Sequence, residues 1–188
     1  MPQGFIDEIA QKDEGRYLEI NVTGEMVMPN NEGYAAGLTS FASDRNVIRI
    51  DATSGLHMDL QAIFAHEIFH LIDYEMKQFD KYAASIDEWK MYNPTQFEYN
   101  VWESSNKNYI LEGSSLSNTY FVSAYSKQDV FEDRAEIFSY LLAIDEDGEL
   151  PESYGSQYVR AKCKLLIGEI KQHFSSVRGT LYIERWFE

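Results

Sequence analysis

Residues 59–79 read DLQAIFAHEIFHLIDYEMKQF, and the reading of this stretch decides that of the rest of the chain. It has helix length, contains neither glycine nor proline, and carries apolar side chains nearly all round. A helix of that kind is predicted to lie buried in the middle of a domain, where its polar side chains need partners. Two of them are His66 and His70, four positions apart, with Glu67 beside the first. Residues i and i+4 share one helix face, so both imidazoles can aim a nitrogen at one zinc ion. Glu67 points in a neighbouring direction, where it can reach a metal-activated water without taking a coordination place. The chain has only four histidines in 188 residues, so two of them meeting the H-E-x-x-H spacing is a specific signal.

A catalytic zinc commonly takes three protein ligands and a water. The extended motif HExxHxxGxxH would require glycine at 73 and histidine at 76, but the chain has Asp73 and Met76 there, which closes that route. His57 and His173 are spare, and each reads as a surface or capping residue. A stronger source is FEDRAEIF, residues 131–138, inside a second predicted helix, DVFEDRAEIFSYLLAI, residues 129–144. Glu132 and Glu136 are again i and i+4. One can bind the metal while the other accepts a hydrogen bond from the second nitrogen of a ligand histidine. The alternative is a solvated acidic face shared with Asp133 and Arg134. Against it stand the apolar neighbours Phe131, Ala135, Ile137 and Phe138, among which two carboxylates would be costly to bury without a cation.

The remaining chain is consistent with one domain over residues 1–188. Residues 15–28 read as extended. A glycine-punctuated stretch, GYAAGLTS, follows at 33–40. NVIRIDA, residues 46–52, alternates as a strand does, with Ile48 and Ile50 on one face and Arg49 and Asp51 on the other. Residues 80–120, rich in Asn, Ser, Tyr and Trp, read as short helices and loops. Their clustered aromatics, from Trp89 to Trp102, either line a cleft or anchor an irregular loop to the core. DEDGELPESYGSQ, residues 145–157, reads as a loop. YVRAKCKLLIGEIKQHF, residues 158–174, reads as a third helix with Leu165, Leu166, Ile170 and Phe174 inward.

Hydrophobic residues make up 44% and aromatics 14%, a globular composition. The net charge of −15 argues against nucleic acid and anionic membrane surfaces as partners, since both would repel the chain. A single cysteine, Cys163, excludes an internal disulfide framework and a Cys-ligated zinc. No run of 18 apolar residues predicts a transmembrane helix. The start, MPQGFIDEIA, has no apolar signal-peptide core; a secreted or cell-envelope protein whose leader had been trimmed would read the same. Asn21-Val22-Thr23 fits a glycosylation pattern that is common by chance.

HEIFHLID, the downstream FEDRAEIF, and Tyr125 in FVSAYSKQ, seven residues before Glu132, together resemble the gluzincin metallopeptidases related to the anthrax lethal factor catalytic domain and the Pro-Pro endopeptidases. The motif-bearing part runs over residues 46–144. The resemblance implies an α+β, zincin-like metallopeptidase domain. In it a small mixed sheet places an edge strand, residues 46–52, just before a buried active-site helix, and a second helix bears a ligand. It implies Zn2+ held by His66, His70 and Glu132, with Glu67 as general base and Glu136 hydrogen-bonded to a ligand histidine. Tyr125 would donate to the oxyanion. The activity implied is zinc-dependent hydrolysis of peptide bonds, on a peptide or protein substrate added to the edge strand in extended form. Two other readings stay open: a zincin fold that binds metal or peptide without turnover, and a metal-dependent hydrolase of a non-peptide amide.

Overall fold

In a computed structural model of the protein, residues 3–11, 17–27, 33–56, 59–100, 106–142, 155–179 and 184 are described. They form five α-helices and a three-stranded mixed sheet, an α+β content. The backbone divides into two compact units, Met1–Glu75 and Met76–Glu188.

The first unit opens with α1 (Gln3–Gln11), whose Phe5 and Ile9, i and i+4 on one face, are both buried. Three strands follow: β1 (Tyr17–Thr23), β2 (Gly37–Phe41) and β3 (Arg45–Asp51), in the spatial order β1-β3-β2. β3 runs parallel to β1, with Tyr17 opposite Arg45, and antiparallel to β2, with Phe41 opposite Asn46.

The expectation that this strand forms the sheet edge is therefore corrected: β3 is central. The physical reason lies upstream, where residues read only as extended or glycine-punctuated supply a strand for each side of it. Its backbone hydrogen bonds are taken on both edges, leaving no edge for an added peptide. Burial agrees, because Val47 is as enclosed as Ile48 and Ile50, the pattern of a strand covered on both faces. Asp51, expected opposite the apolar face, is buried too. Its Oδ1 accepts from the Thr53 N–H at 2.7 Å and the Thr53 hydroxyl at 2.6 Å, and its Oδ2 from Ser54 at 3.2 Å.

α2 (Leu60–Met76) is the helix anticipated from residues 59–79. Asp59 caps it, accepting from the Gln61 N–H at 2.8 Å. Ile63, Ala65, Ile68, Phe69, Leu71, Ile72 and Met76 are all buried, so the helix is enclosed nearly all round.

The second unit holds α3 (Tyr82–Met91), α4 (Val130–Leu142) and α5 (Gln157–His173), with short 3-10 turns at Leu111–Gly113, Leu116–Asn118 and Tyr125–Lys127 before α4. α4 packs on α5. On α5, Val159, Cys163, Leu166 and Ile170 are buried while Leu165 is only half-buried. Of the aromatic cluster in 80–120, Trp89 has no exposed surface, and Phe97 packs on Phe121 with ring centres 4.8 Å apart. These residues anchor their segment to the interior. Trp102, His57 and residues 145–154 of the expected loop lie outside the described residues. No helix among the described residues is long and apolar enough to cross a membrane.

Candidate metal centre

His66 and His70 stand on consecutive turns of α2, both half-buried. Their Nε2 atoms lie 3.2 Å apart, and the rings are nearly perpendicular, at 80°. Two nitrogens bound tetrahedrally to one zinc, at about 2.0–2.1 Å each, would be about 3.3–3.4 Å apart. The pair is thus set close to the spacing that a shared ion requires.

Glu132 belongs to the first turn of α4. Asp129 caps that helix, its Oδ1 accepting from the N–H groups of Phe131 at 2.7 Å and Glu132 at 2.9 Å. The cap fixes the turn that carries Glu132. His66, His70 and Glu132 each offer one ligand atom, and these atoms all lie within 4.8 Å of one another. Two imidazole nitrogens and one carboxylate oxygen suit a divalent cation of the zinc type, so the donor set fits the expected metal. Glu136 follows one turn along α4 and is also half-buried.

Two of the three residues between these carboxylates overturn the picture of a solvated acidic face. Asp133 and Arg134 have no exposed surface. Asp133 Oδ2 accepts from Trp89 Nε1 at 2.8 Å, from the Tyr99 hydroxyl at 2.7 Å and from Lys162 Nζ at 2.7 Å. Arg134 pairs with Glu169 at 2.9 Å and lies over the Trp89 ring, 5.1 Å from its centre. Burial pushes the Asp133 carboxyl above its usual range, while Lys162 and the two aromatic donors pull it back.

Glu67 is buried, 6% exposed. The Thr39 hydroxyl on β2 donates to its Oε2 at 2.7 Å. Tyr125 starts the 3-10 turn Tyr125–Lys127 and is 44% exposed, whereas Ser126 and Lys127 beside it are fully buried. Lys127 Nζ donates to the Asn106 carbonyl, and the Ser126 N–H bonds to the Ser123 hydroxyl at 3.1 Å. The turn is anchored by its second and third residues. His173 stacks on Phe79, ring centres 4.0 Å apart.

Sequence reasoning did not find Asp129, although D-x-x-E before an apolar run is a helix-start signal that could have found it. It also missed Gly37 and Thr39, which no local pattern marks. Comparison of the chain with protein-family models, with curated proteins and with solved structures returns no match.

Proposed function

We propose that the protein is a zinc-dependent endopeptidase of the gluzincin type, with His66, His70 and Glu132 holding the metal. The observation that carries this reading is the grouping of those three donors within 4.8 Å, two of them on the helix that also carries Glu67. A zinc ion with three such ligands has a place left for water. When bound, it supplies Lewis acidity, bringing the pKa of water towards about 7 and polarising a carbonyl.

The chain's own residues do the rest. Glu67 takes a proton from the attacking water as its oxygen bonds to the scissile carbonyl carbon. It then passes that proton to the departing amine as the C–N bond breaks. Tyr125 donates a hydrogen bond to the oxyanion of the tetrahedral intermediate. Glu136 accepts a hydrogen bond from the second ring nitrogen of a ligand histidine, which fixes its tautomer. Because β3 is paired on both sides, an extended substrate adds at the outer edge of β2, the strand that reaches Glu67.

Incubation with a diverse peptide library, read by mass spectrometry, tests the reading, with Glu67→Ala alongside. Cleavage by the zinc-loaded protein and none by the variant is expected. Cleavage of no peptide, or equal cleavage by both, would end the peptidase reading.

A further inference from the structure

The face of β2 turned to α2 carries Gly37, Thr39 and Phe41 in alternation. Phe41 stacks on Tyr74, ring centres 4.2 Å apart. The other two both meet Glu67. The Thr39 hydroxyl lies 2.7 Å from Oε2 of Glu67 and 2.8 Å from the Glu67 carbonyl oxygen, and its single hydrogen can go to either. A Cβ at Gly37 would stand 2.5 Å from both Cγ and Oε1 of Glu67. The carboxylate therefore rests where a side chain at 37 would be, with a hydroxyl from the same strand against it.

We infer that Gly37 and Thr39 are positioning residues for the Glu67 carboxylate, one by leaving room for it and the other by holding Oε2. The inference rests on the reading of Glu67 as general base. A glutamate has three rotatable bonds, and general-base chemistry needs its oxygen held within about 0.5 Å of the productive place. A helix alone fixes only Cα and Cβ of residue 67. A hydroxyl both donates and accepts, so the same contact serves the carboxylate with or without the proton it carries during turnover. The two positions share one rigid strand that is paired to β3, so the support does not depend on a loop.

The test uses Thr39→Val, which keeps the shape and removes the hydroxyl, Thr39→Ser, which restores it, and Gly37→Ala. On a peptide cleaved by the wild type, Thr39→Val and Gly37→Ala are expected to lower kcat about a hundredfold with KM and zinc content unchanged. Thr39→Ser is expected to recover most of the rate. The atoms that a Cβ at 37 would meet, Cγ to Oε1, all belong to the Glu67 side chain and none to backbone, so Gly37→Ala should displace that side chain and leave the fold intact by circular dichroism.

A second readout does not depend on turnover. The shift in melting temperature caused by Thr39→Val is expected to shrink in a Glu67→Ala background, since the partner is gone. An equal shift in both backgrounds, or Thr39→Val cleaving at the wild-type rate, overturns the inference. If the wild type cleaves no peptide, the peptidase reading falls, and the thermal comparison alone decides whether Thr39 holds Glu67.

Discussion

Lys162 on α5 places its ammonium 2.7 Å from Oδ2 of Asp133 on α4, and neither side chain has any exposed surface. Burial is the largest influence on each, raising the carboxyl and lowering the ammonium, while their mutual attraction opposes both shifts. Such a pair adds little over well-packed apolar groups, yet breaking it strands a charge. Lys162→Met is expected to destabilise the protein by about 3–5 kcal/mol, and Asp133→Leu added to it to recover only part of that loss, because Trp89 and Tyr99 then lose their acceptor. Urea unfolding of both variants measures this. Equal stability of Lys162→Met and wild type would contradict it.

Metal binding is checked without any substrate. One zinc per chain is expected by elemental analysis, with markedly weaker retention in Glu132→Ala, His66→Ala and His70→Ala. An ion that binds only the folded chain stabilises it by about 2.7 kcal/mol at a hundred times its Kd. Added zinc should therefore raise the melting temperature of the wild type and leave that of His66→Ala nearly unmoved.

The carboxyl of Asp51 is held below its usual range, chiefly by the Thr53 hydroxyl. The folded chain then binds this proton less readily than the unfolded one. The contribution to stability is fully present above the unfolded value of about 4 and is lost as pH falls through the depressed folded value. Asp51→Asn should be less stable than wild type at pH 7, and the gap should close in strong acid. Denaturant melts at both pH values decide it.

Ser156 starts α5 and has two tasks. Its Oγ accepts from the Val159 N–H at 3.4 Å and donates to the Thr119 carbonyl at 2.5 Å, both in buried surroundings. Ser156→Ala removes a helix cap, a loss of about 1 kcal/mol, and leaves the Thr119 carbonyl without its donor. A drop in melting temperature without loss of zinc is expected, measured by calorimetry and elemental analysis together.

α2, α4 and α5 were legible because their signals are local, whereas α1 was not read as a helix. Residues 59–79 and 129–144 carry their apolar pattern in their own sequence, and the i, i+4 spacing by itself puts His66 and His70 on one helix face. The apolar neighbours of Glu132 and Glu136 marked both carboxylates and left open which of them binds. The strand order could not. Gly37–Phe41 shows no alternation of its own and is a strand because it pairs with β3, so the central place of β3 depends on partners elsewhere in the chain. Asp133 reads as surface in isolation and is buried only because Lys162, Trp89 and Tyr99 arrive from distant positions. Thr39 reaches Glu67 across 28 positions, a separation that no local pattern spans.

The mixed pairing of the sheet carries a consequence for how the protein assembles. β2 and β3 face each other across a short connection closed by the Ala42 N–H to the Arg45 carbonyl, 2.8 Å, so the hairpin can zip early. β1 must wait, because Tyr17 meets Arg45 only after 28 positions of intervening chain have been brought round, and parallel partners of that separation are slow to find. In pulse-labelling hydrogen exchange, amides shared by β2 and β3 are expected to gain protection before those of Leu18 to Val22.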